Sequence, residues 1–421
     1  MDRPLRFCMI TSFYPPYNFG GDGVYVHALS NELARRGHQV HVIHCKDAFR
    51  VFSREEPEGT YQDHPNVTVH GLKSPLGILS PLLTHQAGLP LLKSAAIQRV
   101  LNQGFDVINF HTVSLIGGPG ILRYGKGIKL YSAHDHWLVC PTRELFRFGR
   151  AVCTSRDCFL CSLAQKRPPQ LWRYTRLLQT AVEHVDAFIM GSRFSAQKHR
   201  ELGLSRAIVY LPQFVPEDAQ RPGSCEPAAT ARLRPYFLFV GRLVKNKGLQ
   251  TLIPLFRNNR RARLLVAGSG RYETQLQRMA GGSDNIRFLG EVARERLPVL
   301  YRDAVALIVP SISYEVGPLV VLEAFQQRTP VIGRNLGGIP DKVRESGGGC
   351  LYDSNEELAA IVERLLDDDV YRNELGMRGY RAYAEKWTPE AHLRQYLGLI
   401  EEIAARSIGR TPSQSVGDSV S

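Results

Sequence analysis

Long apolar runs are missing from this 421-residue chain. No stretch of about 18 consecutive apolar residues occurs, so no membrane-spanning helix is expected. The start, MDRPLRFCMITSFYPPYNFGG, has only a short apolar run ending in Pro-Pro and no small-residue cleavage site, and does not read as a secretory signal peptide. The expected location is the cytoplasm, peripheral attachment at the inner membrane face included. No G-x-G-x-x-G follows the first strand-like run, which argues against a dehydrogenase. No Asp-x-Asp closes a strand, no Ser-His-Asp arrangement is evident, and no internal repeat is found. Acidic charge is in deficit: 53 Lys and Arg face 40 Asp and Glu, a net charge of +13. Such a surface suits nucleic acid, an anionic membrane leaflet or a phosphorylated small molecule. No helix-turn-helix, basic zipper or RNA-binding signature accompanies it, so nucleic acid is not expected as a partner. Basic residues outnumber acidic ones between Arg143 and Arg176, with Trp172 and Tyr174 interleaved. That segment reads either as a solvated basic face or as a patch for a membrane or an anionic acceptor.

What is present is a repeated alternation of strand and helix. LRFCMITSF, QVHVIHC, VTVHGL, DVINFH, KLYSAHD, AFIMGS and AIVYLP read as strands. The first helix, in DGVYVHALSNELARRG, has Val24, Ala28, Leu29 and Leu33 at helical spacing, and Gly37 closes it. After PEDAQRPGSCEPAATARLRP the pattern restarts with YFLFVGR, RLLVAGSG, NIRFLGEV, VALIVPS, PVIGRN and GCLYD. The expected fold is α/β, with two Rossmann-like, doubly wound domains facing a cleft. The boundaries expected are a first domain over 1–218, a linker over 219–234 and a second domain over 235–388. A C-terminal helix over 389–406 is expected to pack back toward the first domain, ahead of a disordered tail over 407–421.

The stretch PSISYEVGPLVVLEAFQQRTPVIGRNLGGIPDKV carries the most chemistry. Glu315 and Glu323 are eight positions apart, about 80° around a single helix, which is not one face. A better reading puts Glu315 in the loop after VALIVPS and Glu323 one or two turns into the following helix. Backbone N–H groups at Gly317 and Leu319 would then be free for a phosphate. Glu323 would accept hydrogen bonds from sugar or ribose hydroxyls. Taken alone, the pair would be read first as two surface glutamates.

E-x7-E in this setting, with FVGRLVKNKGLQTLI, LLVAGSGRYETQL and NIRFLGEV ahead of it, resembles family 4 of the retaining glycosyltransferases, which have the GT-B fold. The matching stretches run from FCMITSFYPPYNFGG to KWTPEA. The resemblance implies that Arg242 and Lys247 hold the diphosphate of a nucleotide diphosphate sugar. Fixed cations there would also stabilise the charge of the leaving group. It further implies that Glu315 contacts donor-sugar hydroxyls, Glu323 the nucleotide ribose, Val292 the base edge, and His134 the reacting sugar. Gly20 and Gly21 match a Gly-Gly loop where backbone approaches phosphate or sugar closely, although a plain strand-to-helix turn explains them too. The family needs no divalent metal and acts by front-face transfer, the leaving phosphate helping to take the acceptor's proton. The implied enzyme is a metal-independent hexosyltransferase using a hydroxyl-bearing sugar or a lipid-linked acceptor, in cell-surface polysaccharide or glycolipid assembly. A nucleotide-sugar epimerase of the same architecture is the alternative; a binding or scaffold protein that has lost turnover is a weaker one. Two departures stand out: Gln213 where Asn is common, and Glu315-Val316-Gly317-Pro318 where Glu-Gly-Phe-Gly is common.

Of eight cysteines, Cys140, Cys153, Cys158 and Cys161 cluster as C-x12-C-x4-C-x2-C, just after His134 and His136. His136 has no family match and is expected to be a loop or structural residue. The insertion over 140–161 has few aliphatic residues for a core of its own, so a structural zinc site is expected. Free thiols, an iron–sulfur centre and disulfides remain alternatives.

Overall fold

The computed structural model describes residues 3–53, 55–57, 59, 61–216 and 235–408. The expected linker, 219–234, lies outside the described residues, as does the expected tail from 409 onward.

Fifteen strands form among the described residues. They are β1 Arg6–Ile10, β2 Gln39–Cys45, β3 Val67–Leu72, β4 Val107–Phe110, β5 Ile128–Ala133, β6 Phe146–Arg147, β7 Ala151–Val152, β8 Ala187–Met190, β9 Ile208–Tyr210, β10 Tyr236–Val240, β11 Arg263–Ala267, β12 Ile286–Gly290, β13 Leu307–Val309, β14 Val331–Arg334 and β15 Gly349–Tyr352. The first sheet runs β3-β2-β1-β4-β5-β8-β9 and the second β12-β11-β10-β13-β14-β15. Every neighbouring pair in both sheets is parallel. Only the hairpin β6-β7, inside the cysteine insertion, is antiparallel.

Parallel sheets are covered on both faces, so their strands need apolar side chains at odd and even positions. In β1, Cys8 and Ile10 enter the core on one face, while Phe7 and Met9 enter the core on the other. In β10, Phe237 and Phe239 are divided in the same way from Tyr236 and Leu238.

The chain recrosses between the domains at Trp387. Trp387 is fully buried in the second domain and stacks on Phe325 at 5.9 Å between ring centroids. The next helix, Pro389–Ile408, packs Leu393, Tyr396, Ile400 and Ile403 into the first domain's core with Phe7 and Met9. It ends two residues later than the sequence pattern predicts. Asn109 donates to the Tyr396 hydroxyl at 2.9 Å, and Tyr25 and His392 share a hydrogen bond at 3.0 Å. Truncating a buried aromatic such as Tyr396 would cost roughly 3–5 kcal/mol, so this helix is a strong tie between the domains.

The functional candidates nearly all follow carboxyl ends of strands, where open α/β sheets bind ligands. His111 follows β4, His134 follows β5, Gly191 and Ser192 follow β8, Arg242 follows β10, Glu315 follows β13 and Gly338 follows β14.

Candidate functional site

On the second-domain side, Lys247 closes the short 3-10 turn Lys245–Lys247 and Glu315 sits in the loop after β13. Two backbone features bring them together. Ile312 N–H donates to the Asn246 carbonyl at 2.9 Å. Gly248 has a left-handed φ of 77°, and a Cβ there would lie 1.9 Å from the Pro310 carbonyl oxygen, so only glycine fits. The Lys247 ammonium then lies 2.8 Å from Glu315 Oε1, and the Ser311 hydroxyl donates to the same oxygen at 2.6 Å. Burial pushes the Glu315 carboxyl up, but Lys247, Ser311 and the charge of Arg242 together hold it below its usual range. Glu315 is therefore an ionised carboxylate among cations. Arg242 itself is exposed, free to meet an anion.

Glu323 lies within the helix Leu319–Gln326 and Glu315 ahead of it, the division that the 80° argument favours. Pro318 precedes that helix without a capping side chain. Glu323 has a different environment from Glu315. Burial raises its carboxyl above the usual range, although the Tyr301 hydroxyl, donating at 2.6 Å, and the charge of Arg294 oppose this. Glu323, Tyr301, Arg294, Leu297 and Val215 line one pocket. Val292 is not among its lining residues; it packs against the second domain's core, two positions from Arg294.

On the first-domain side, His134 joins His111 and Gln213 in a chain. Gln213 Nε2 donates to His134 Nδ1 at 2.8 Å, which leaves the His134 proton on Nε2. That nitrogen lies 2.9 Å from His111 Nδ1, so His111 carries its own proton on Nε2, where no described group meets it. Burial lowers His134 to about 4, with Asp22 opposing, so the ring is neutral at neutral pH. Tyr25 packs against it at 5.4 Å. His136 is buried and stacked on His199 at 5.4 Å, a structural placement.

The two domains touch at the cleft floor. A Cβ on Gly21 would lie 3.3 Å from Leu319 Cδ1, and one on Gly317 would lie 3.3 Å from the Gly191 carbonyl. Gly21 opens the helix Gly21–Arg35, and Gly20 immediately precedes it. Gly338 N–H donates to the Glu315 carbonyl at 2.8 Å, and a Cβ there would strike Ser192 Oγ at 2.7 Å. Gly20, Gly21, His134, Gly317, Leu319 and Glu315 thus border a single region, with Glu323 on the helix leading away from it.

Sequence reasoning missed His111, Ser311, Tyr301, Arg294 and the bond between Gln213 and His134. His111 was within reach, since DVINFH ends in histidine at a strand terminus just as KLYSAHD does. In the sequence Gln213 stands out only as a departure from the family pattern; in the structure its amide fixes the tautomer of His134.

The four clustered cysteines border one common pocket, with no disulfide among the described cysteines. Cys161 Sγ accepts from Phe148 N–H and from Gln165 Nε2, each at 3.2 Å, and Cys140 Sγ lies 3.3 Å from Thr142 Oγ1. Among the described residues no three His, Cys, Asp or Glu side chains already surround a common metal position. Leu145 and Phe146 are buried here, so the insertion does have a small apolar core, contrary to the expectation from its composition.

Two parallel Rossmann-like sheets with a cleft between their carboxyl ends define the GT-B class of fold. Residues 19–219 match the family described as Glycosyltransferase Family 4, and residues 228–382 match Glycosyl transferases group 1. A D-inositol 3-phosphate glycosyltransferase of Acidothermus cellulolyticus is 31% identical, with 96% of this chain and 91% of that protein aligned. The chain belongs to glycosyltransferase family 4. A GDP-mannose-dependent alpha-(1-6)-phosphatidylinositol monomannoside mannosyltransferase of Mycobacterium tuberculosis is 31% identical over 219 residues, 47% of this chain. The chain spans about half of that relative's length, 55%. Among solved structures, the sucrose-phosphate synthase of Thermosynechococcus elongatus superposes with a TM-score of 0.74 at 21% identity, covering 96% of this chain and all of that one. Anabaena HepE, solved in complex with UDP-glucose, gives 0.63 at 16% identity, with 96% and 100% covered.

Proposed function

We propose that the protein transfers a sugar from a nucleotide diphosphate sugar to a hydroxyl acceptor with retention of anomeric configuration, in polysaccharide or glycolipid assembly. The observation that carries this is the cluster of Arg242, Lys247 and ionised Glu315 at the cleft, opposite a neutral His134. In this reading Arg242 and Lys247 hold the donor diphosphate and stabilise the charge that grows as it leaves. Glu315 accepts hydrogen bonds from the donor sugar, while Glu323 does so from the ribose, in a pocket whose Tyr301 already satisfies one carboxylate oxygen. Val292 and Arg294 stand near the base. Neutral His134 lines the reacting centre and cannot add a positive charge that repels an oxocarbenium-like carbon. Gly20, Gly21, Gly317 and Leu319 allow backbone to approach the phosphates and sugar. The leaving phosphate oxygen takes the acceptor proton, and in this reading Arg242 and Lys247 supply the leaving-group stabilisation that a divalent metal would otherwise give.

The test is to incubate purified protein with a panel of nucleotide sugars, with and without hydroxyl acceptors, and to read the product's anomeric configuration by NMR. Retained configuration in an acceptor-dependent product is expected, unchanged by a chelator. An epimerised donor formed without acceptor would favour the epimerase instead, and an inverted product would refute retention.

For the cysteine insertion we propose a structural zinc. The four sulfurs share one pocket, and N–H donors already point at Cys161 Sγ, as around metal-bound thiolates. Binding there would require the four side chains to turn inward, since among the described residues they do not already surround one metal position. Four thiolates leave no open position, so this zinc is not catalytic.

A further inference from the structure

Two helices of the first domain face the wrong way. In Leu79–Ala87 the buried positions include Ser80 and Thr84, whereas Leu79, Leu82 and Leu83 are exposed. In Cys158–Ala164, Cys161 and Ser162 are buried while Phe159, Leu160 and Leu163 are exposed. A surface helix normally turns its apolar stripe to the core; both of these turn it to the outside. The two lie in neighbouring segments. Trp172 Nε1 donates to the His85 carbonyl at 3.0 Å, and Phe159 and Tyr174 are in ring contact at 6.3 Å. Thirteen of the nineteen large apolar side chains exposed among the described residues fall within 76–92 and 159–174. Single exposed apolar residues are ordinary, but a concentration of this kind marks an interaction surface.

We propose that this face docks on an anionic lipid bilayer, the two inverted helices lying in the plane of the headgroups. Charge selects the occupant. No Asp or Glu occurs from Lys73 to Phe105 or from Cys158 to Val182, while the second segment carries Lys166, Arg167, Arg173 and Arg176. Lys166 and Arg176 are exposed, free for lipid phosphates. A second copy of the chain would bring two basic faces together and be repelled. The apolar content also favours lipid: eleven of the thirteen are leucine or isoleucine, and leucine is under-represented at protein–protein hot spots. Aliphatic and Phe side chains flanked by Lys and Arg are what interfacial helices use. This docking goes beyond the proposed transfer reaction and does not depend on it.

The test is flotation of the full-length chain with vesicles of phosphatidylcholine alone or mixed with phosphatidylglycerol. Wild type is expected to float with the mixed vesicles, at least about tenfold more tightly than with neutral ones, and to weaken as salt rises. L82D/L83D/L160D should abolish flotation, and K166E/R176E should weaken it by about tenfold or more. All five positions are exposed, and matching thermal melts would confirm that the variants fold. The proposal is overturned if wild type ignores anionic vesicles or if the variants float as wild type does. It is also overturned if sedimentation shows a wild-type dimer that the apolar variant dissociates while vesicles bind neither.

Discussion

The Lys247 ammonium and the Ser311 hydroxyl meet on the same oxygen of Glu315, at 2.8 Å and 2.6 Å. A half-buried carboxylate held this way stays ionised without spending its second oxygen, which remains for a ligand hydroxyl. Lys247 in turn is fixed before any diphosphate arrives. Glu315→Gln keeps the shape and removes the charge, and Lys247→Ala removes the cation. Each should lower kcat/KM by about a hundredfold or more while the variants melt cooperatively. Steady-state kinetics with the best donor of the panel decide this; near wild-type turnover in both would remove the pair from the mechanism.

Glu323 should behave differently, because the pocket it lines holds Tyr301 and Arg294 and neither Arg242 nor Lys247. Loss of a ribose contact weakens ground state and transition state alike, so it appears in KM. Glu323→Ala is expected to raise the donor KM by about tenfold with a smaller change in kcat. Tyr301→Phe removes one stabilising hydrogen bond from a carboxyl that burial already raises, so donor affinity should become pH-dependent at a higher pH than in wild type. A fall confined to kcat in Glu323→Ala would place it at the reacting centre instead.

The strands are legible in the sequence because parallel strands covered on both faces leave continuous apolar runs. YFLFV and VINF announce themselves without any partner. The separation of Glu315 from Glu323 is also legible, since helical geometry forbids a single face and Pro318 marks the boundary. Other features depend on tertiary placement. Nothing local says that Gln213, from the loop after β9, reaches His134 after β5. Nothing in LSPLLTHQA says which of its residues would face outward; only the packed fold shows that its leucines are left uncovered.

Histidine burial predicts an acid-side loss of stability. His44, His136, His199 and His392 are buried, and burial lowers them to about 3, 3, 4 and 4. In the unfolded chain they titrate near about 6.5. As pH falls below that value the unfolded state takes up protons that the folded state refuses. Stability is therefore full above about pH 6.5 and declines toward about pH 4, each ring contributing on the order of 1 kcal/mol per pH unit. Urea unfolding at stepped pH should show the midpoint falling over this window; a flat profile would contradict the neutral burial of these rings.

The cysteine insertion gives the last prediction. If zinc is bound there, protein purified without chelator should carry about one equivalent, and its four clustered thiols should resist alkylation until the metal is removed. Cys158→Ser/Cys161→Ser should fall below about 0.2 equivalents. Stripping the metal should lower the melting temperature, because binding free energy at a site formed only in the folded state adds to folding free energy. It should leave the Glu315 chemistry in place, since four thiolates offer the substrate no coordination position. It should also loosen the helix Cys158–Ala164, which holds two of the ligands on its inner side and the exposed Phe159 and Leu160 on its outer side. Metal content below about 0.2 equivalents in wild type, with all four thiols freely reactive, would show that the insertion is held by its own buried Leu145 and Phe146 and not by an ion.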